Sequence, residues 1–286
     1  MNLTSAPQIK SLLAEHGLRP KKRLGQNFLI DRNVLNRLIE ATCAAPNTNV
    51  LEIGPGLGVV TLELAIRDAN VICVEADKDF QPILQKVLSD YSNVRIIIED
   101  FLRIDLTELL KDSGKWVVVG NLPYYITSPI IAKLIEFKQF FSSVLLMVQR
   151  EVAQRLQAAH GSSDYGALSV FVQYHCEIQS VMKVSRNVFY PIPDVDSELI
   201  KLTIREMPAV TVNNEDLFFS IVKAAFGKRR KTLFNALGSS DELKWDKDRA
   251  RIVIESAGID GNRRGETLSL EEFANLANVS ENMLNV

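Results

Sequence analysis

The sequence predicts an α/β protein, a doubly wound sheet covered by helices, followed by a small all-helical domain. Three observations carry this expectation. Short apolar runs alternate with amphipathic or polar segments over the first two hundred residues. The first of those runs ends in a glycine-rich turn, Gly54-Pro55-Gly56-Leu57-Gly58. After Met207-Pro208 the apolar spacing changes to a helical period and stays there.

The predicted strands, in order, are residues 49–53, 70–75, 94–98, 116–120 and 144–149, all rich in Val, Ile and Leu. A strand buried on both faces loses simple alternation and becomes a continuous apolar run, which argues for a parallel sheet between helical layers. Residues 168–178 and 198–205 read as two further strands. Helices are expected at 217–226, 230–237, 247–256 and 270–278, the last with Ser269 as N-cap and Glu272 at the capping-box position. The expected domains are therefore 1–206 and 207–286.

The chain has 286 residues, 33 basic and 35 acidic, for a net charge of −2. That balance excludes a generally basic nucleic-acid coat protein, though not local basic patches. Residues 207–286 hold 11 basic and 12 acidic side chains, so neither expected domain is basic as a whole. Cys43, Cys73 and Cys176 are odd in number and far apart, which suits three reduced thiols and neither a disulfide framework nor a zinc site. The longest uncharged run, 116–132, is interrupted by Gly120, Asn121, Pro123 and Pro129 and makes a poor membrane span. The first residues lack an apolar signal-peptide core and an Arg-rich transit pattern, so the expectation is a cytoplasmic protein.

Glycines at a strand-to-helix turn let a ligand approach the backbone at the carboxyl edge of a sheet. The dinucleotide pattern G-x-G-x-x-G would need glycine at 59, where Val59 stands. The observed G-x-G-x-G suits a nucleoside cofactor without a pyrophosphate, although a plain tight turn has the same look. Two acidic residues sharpen it. Glu75 ends the second strand, 17 residues after Gly58, where a carboxylate can accept from both ribose hydroxyls. Asp100 follows the third strand, in reach of an adenine amino group. Two carboxylates also suit a cationic cofactor and would repel a phosphate.

The most specific motif is Asn121-Leu122-Pro123-Tyr124, at the end of the fourth strand. Pro123 biases Leu122 away from helix, so the Leu122 carbonyl can join the Asn121 amide oxygen as a second acceptor aimed at one point. Tyr124 offers a flat face beside them. Such a pair can hold the exocyclic amine of a base. Its lone pair is delocalised into the ring; gripping its hydrogens draws the nitrogen towards a tetrahedral shape and frees the lone pair for attack on a methyl group. No strong base is needed, so the presence of only three histidines is no objection.

Together with Gly25-Gln26-Asn27-Phe28-Leu29, Gln149-Arg150-Glu151, Tyr165-Gly166, Phe189-x-Pro191-x-Pro193-x-Val195-x-Ser197 and Arg229-Arg230-Lys231, these motifs make the chain resemble the small-subunit ribosomal RNA adenine dimethyltransferases of the KsgA type. The likeness spans nearly the whole chain. It implies a Rossmann-like methyltransferase sheet and S-adenosylmethionine as methyl donor. It further implies two methyl groups placed on each of two adjacent adenosines near the 3′ end of small-subunit ribosomal RNA. It implies that Asn27, Leu29, Gly54, Gly56, Glu75, Asp100 and Asn121 contact the cofactor, and that Phe189 stacks on the target base opposite Tyr124. The implied partner is an assembling small ribosomal subunit, met by a monomer. Val59-Val60 after the glycine turn, and Tyr125 after the tetrapeptide, depart from the usual pattern.

Lys228, Arg229, Arg230 and Lys231 are expected to open a helix and meet RNA phosphates. Lys21-Lys22-Arg23 and Arg263-Arg264 are lesser clusters, of the kind that usually faces solvent. Rival readings are a related methyltransferase acting on large-subunit RNA, a non-catalytic ribosome assembly factor and, more remotely, a dehydrogenase. DNA adenine methyltransferases usually carry Pro where Leu122 stands.

Overall fold

Residues 3–21, 24–111, 114–123, 126–228 and 230–283 are described by the computed structural model. The chain divides into two compact units. One runs to Ala153 and includes Glu177–Ile204; the other is Gln154–Cys176 with everything from Arg205 onwards.

In the first unit, helix α1 (Ala6–Glu15) leads to a two-residue strand β1 (Phe28–Leu29) and helix α2 (Arg32–Thr42). Asp31 caps α2 by accepting from the amides of Asn33 and Val34. Then come β2 (Asn49–Ile53), α3 (Val59–Ala65), β3 (Asn70–Glu75), α4 (Gln81–Val87), β4 (Val94–Ile98) and α5 (Leu106–Leu110). They are followed by β5 (Trp116–Asn121), α6 (Thr127–Glu136) and β6 (Phe141–Gln149), after which α7 (Arg150–Gln157) and α8 (Ala167–His175) enter the second unit. The chain returns with β7 (Cys176–Val184), β8 (Phe189–Tyr190) and β9 (Ser197–Ile204).

Among the described residues, seven strands form one sheet in the order β4-β3-β2-β5-β6-β9-β7. From β4 to β6 every neighbouring pair is parallel, and β9 lies antiparallel to β6, so the sheet is mixed. The chain order reverses between β2 and β5. At such a switch point the loops leave the carboxyl edge in opposite directions and open a crevice. One apolar cluster packs Leu35, Leu38 and Leu64 of α2 and α3 on Val50, Val119 and Leu145 of the sheet. A second joins Ile9, Leu12, Phe28, Leu57, Phe80 and Leu84, with Ile96 and Ile98 of β4 packed against it.

The second unit adds α9 (Glu215–Gly227), α10 (Leu233–Leu237), α11 (Lys247–Ser256) and α12 (Leu270–Asn282). Its core joins Tyr165, Val170 and Tyr174 to Phe218, Leu233, Trp245 and Phe273. Ser269 and Glu272 form the expected capping box on α12.

Three expectations are corrected. Residues 168–178 are not a strand: α8 occupies Ala167–His175 and the strand begins only at Cys176. A short apolar run has no period of its own to choose by. Here Val170 and Tyr174, one helical turn apart, both enter the aromatic core, and Ser169 Oγ accepts from Gly166 N at 3.0 Å at the helix start. The helix expected from 230 starts at Leu233, because Thr232 is its N-cap. Finally, residues 154–176 group with the C-terminal helices, and the later division lies at 204/205 instead of 206/207.

Candidate active site

The glycine turn after β2 forms the floor of a cleft at the carboxyl edge of the sheet. Gly54, Gly56 and Gly58 take φ values of +72°, +57° and +84°, a region L side chains rarely adopt. At Gly56 a second constraint acts: a Cβ there would lie 3.2 Å from the Phe28 ring. The bare backbone and the aromatic ring are thus fitted to each other although they lie far apart in sequence.

The cleft encloses about 1180 Å³ including its open mouth. Asn27, Leu29, Gly54, Gly56, Glu75, Asp100, Asn121, Pro123 and Phe189 all border it, drawn together from the ends of β1, β2, β3, β4, β5 and from β8. Leu122 is not among the bordering residues. Its side chain is buried against Gly120, where a Cβ would lie 2.8 Å from Leu122 Cδ2, and its amide donates to Met147 O at 3.3 Å. Phe189 pairs in register with Leu29, which explains how a residue so late in the chain reaches this wall; it is 2% exposed. Tyr124 lies outside the described residues.

Glu75 is 7% exposed. Its Oε2 accepts from Gly56 N at 3.0 Å and its Oε1 from Asp77 N at 2.8 Å. Burial raises its carboxyl above the ordinary range, opposed by those backbone amides. Each oxygen keeps a second lone pair for a ligand hydroxyl. Asp100 is half exposed at its side chain, and its Oδ1 accepts from Leu102 N at 3.0 Å. Asn121 Nδ2 donates to Asn27 O at 2.9 Å, so this amide's acceptor, Oδ1, is the atom left to meet a substrate.

Several contributors were given no role by the sequence. Glu52, inside β2, borders the cleft at 3% exposure. Burial pushes its pKa up to about 8; the Thr61 hydroxyl that donates to it opposes this, and nearby Glu75 adds to it. Phe28, Phe101, Ile126, Ile130 and Met147 give the cleft its apolar lining. Lys133 Nζ donates to the carbonyls of Phe101, Leu102 and Ile104 at 3.0, 3.0 and 2.6 Å, tying α6 to the loop after Asp100. A lone lysine in an amphipathic helix carries no sequence signal for such a clamp.

The cleft fits an adenosine-type sulfonium cofactor. The glycine turn is open to close backbone approach, three carboxyl groups (Glu52, Glu75 and Asp100) border it, and among the described residues no cation on its wall marks a phosphate subsite. Among the described residues, no group of three or more His, Cys, Asp or Glu is placed to hold a metal ion.

In the second unit, Lys228, Arg230 and Lys231 are exposed and occupy the turn between α9 and α10, not the start of a helix; Arg229 lies outside the described residues. Lys228 Nζ donates to Ser239 O at 3.0 Å and Ser239 Oγ at 2.9 Å. Arg263 is committed to the Glu272 carboxylate and to Thr267 O at 2.6 Å, which makes it a structural cation.

Comparison with known proteins agrees with this geometry. A family model described as ribosomal RNA adenine dimethylase matches residues 17–278. The ribosomal RNA small subunit methyltransferase A of Alkaliphilus oremlandii is 46% identical over 279 residues, covering 96% of this chain and 97% of that protein. Among solved structures, a dimethyladenosine transferase from Plasmodium falciparum superposes with a TM-score of 0.74 at 27% identity, over 87% of this chain and 95% of that one. The 23S rRNA methyltransferase ErmE gives 0.67 at 28% identity, over 89% and 100%.

Proposed function

Since the chain belongs to the ribosomal RNA adenine dimethylase family, we propose that it dimethylates the 6-amino groups of two adjacent adenosines near the 3′ end of small-subunit ribosomal RNA. The observation that carries the reading is the convergence of Asn121, Glu75 and the glycine turn on one cleft, in a chain 46% identical to a small-subunit enzyme over nearly its whole length. A large-subunit target is less favoured. The fold likeness to ErmE is shared by both classes, while the identity to it is 28%.

S-adenosylmethionine supplies the electrophilic methyl group. Glu75 would hold its ribose hydroxyls, Asp100 its adenine amine, and Gly54, Gly56, Asn27 and Leu29 would offer backbone and wall contacts. Asn121 Oδ1 accepts one hydrogen of the target amine, and the carbonyl of Leu122, between two bordering residues, accepts the other. This grip localises the nitrogen lone pair for in-line attack. The amine's surplus proton, acidic once the nitrogen is alkylated, leaves to water. Phe189 and Tyr124 would stack on the flipped base. After the first transfer the amine keeps one hydrogen and one acceptor suffices, so the nitrogen must turn to present its lone pair again.

Arg229, Arg230 and Lys231 would meet RNA phosphates, beside Lys228, which is tied to Ser239. We place the protein on assembling small subunits, as a cytoplasmic monomer whose catalytic part is the unit of residues up to 153 with 177–204 and whose RNA-binding part is the helical unit. In support, every proposed catalytic residue belongs to one unit of one chain, and among the described residues no helix is long and apolar enough to cross a membrane. The test is incubation with labelled S-adenosylmethionine and undermethylated small subunits, with the modified bases mapped. Dimethyladenosine at two adjacent positions is expected; label in large-subunit RNA, or no label, overturns the reading.

A further inference from the structure

The wall of the cleft formed by residues 24–29 contains only two residues of regular strand, Phe28 and Leu29. What fastens it is a polar network centred on Asp77. Asp77 Oδ1 accepts from Lys21 Nζ at 2.7 Å and Oδ2 from Gln26 Nε2 at 2.7 Å. Lys21 Nζ also donates to Asp79 Oδ2 at 2.6 Å, and Lys21 N donates to Gln26 Oε1 at 2.8 Å. On its other side Asp77 N donates to Glu75 Oε1 at 2.8 Å. The carbonyl of Asn27, the next residue after Gln26, accepts from the Asn121 amide.

Asp77 therefore stands between the carboxylate placed at the ribose and the segment that orients Asn121. Burial alone would raise its carboxyl; the bonds from Lys21 and Gln26 outweigh this and hold it below the ordinary range, while Lys21 is raised by Asp77 and Asp79. Lys21 remains 28% exposed at its side chain, so salt can reach the pair.

We propose that Asp77 is a positioning residue, latched by Lys21 and Gln26, that closes residues 24–29 over the bound cofactor and must release for spent cofactor to leave. The inference rests on the reading of this cleft as the S-adenosylmethionine site. Repeated transfer to one RNA requires the spent cofactor to be replaced between steps, so the strength of the latch sets the rate of that exchange.

The test uses the full chain and S-adenosylhomocysteine, with affinity from calorimetry and dissociation from chase of labelled ligand. Lys21→Met and Asp77→Asn should raise both the Kd and the dissociation rate about three- to tenfold. Lys21→Arg should restore both to within about twofold, since the charge is kept. Wild-type dissociation should quicken between about 50 mM and about 500 mM salt, and that of Lys21→Met should not. The thermal midpoint of ligand-free Lys21→Met should stay within about 2 °C of wild type, separating the latch from general stability. A Lys21→Met protein with wild-type affinity, dissociation and salt response overturns the latch alone. A wild type that does not bind S-adenosylhomocysteine overturns the cofactor reading, and the latch with it.

Discussion

The amide nitrogen of Asn121 donates to the backbone carbonyl of Asn27 at 2.9 Å, across 94 residues of sequence. This bond decides which way the Asn121 amide faces: it fixes Nδ2 on the Asn27 carbonyl, while Oδ1 takes no hydrogen bond among the described residues. An acceptor fixed before the substrate arrives needs no reorganisation at the moment of reaction, which is where such groups gain their catalytic value. In the proposed mechanism the segment containing Asn27 thus helps set the catalytic geometry as well as forming the cleft wall.

Glu75 holds the glycine turn through Gly56 N and has lone pairs left for a ribose. Glu75→Ala should weaken S-adenosylmethionine binding by about 1.5–3 kcal/mol, the worth of a charge-assisted hydrogen bond. Calorimetry on purified protein checks this, and unchanged affinity would remove Glu75 from the site.

Gly56→Ala should do two things. Its φ of +57° costs an L residue about 1–2 kcal/mol, and the new Cβ presses on Phe28. Gly114→Ala is the control: it has φ of +73° and nothing within 4 Å. Both should melt earlier, but only Gly56→Ala should bind S-adenosylhomocysteine more weakly. Equal affinities would show that the Phe28 ring is irrelevant to the cleft.

Glu52 sets a pH dependence. Its folded pKa of about 8 lies above its ordinary 4.5. Between those values the folded protein carries the extra proton, so this group's stabilisation is full below about pH 4.5 and disappears as pH rises to about 8. Glu75, shifted in the same direction, adds to the trend. Thermal melts of Glu52→Gln across pH 5 to 8 should fall less steeply than those of wild type. Parallel slopes would mean Glu52 is ionised in the fold.

Arg230 and Lys231 are exposed, whereas Lys228 is bound to Ser239. Neutralising Arg230 and Lys231 should therefore flatten the salt slope of RNA binding by about 0.7–0.9 for each phosphate left without its cation. Cofactor affinity should not change. Lys228→Ala should instead lower thermal stability, by releasing the Ser239 carbonyl. A wild-type salt slope in the double variant would assign these cations to solvent.

The central strands were legible because they are buried on both faces and end at residues with visible chemistry, and the half-buried edge strand 94–98 through its run of Ile. Residues 49–53, 70–75 and 94–98 are strands to the residue, closed by Gly54, Glu75 and Glu99. Residues 167–175 were not legible: their helical state is set by a core built from Phe218 and Phe273, far along the chain. The same distance hid the network at Asp77, whose partner Lys21 is 56 residues away in a cluster that reads as solvated charge. The motif residues were legible because backbone-level demands, such as positive φ at Gly54 and Gly56, restrict residue type. The clamp at Lys133 and the raised carboxyl of Glu52 depend on surroundings that the sequence does not spell out locally.

The proposed chemistry turns on Asn121 as the acceptor for the target amine. Single-turnover methylation of saturating, undermethylated small subunits by Asn121→Ala tests this role most directly, with S-adenosylhomocysteine affinity measured alongside. The expected rate is lower by roughly a hundredfold or more, because the substitution removes a preorganised polar group that acts in the transition state. RNA affinity should stay close to wild type. Methylation at the wild-type rate would contradict the role, and would leave the Asn121–Pro123 segment as nothing more than a strand-end turn.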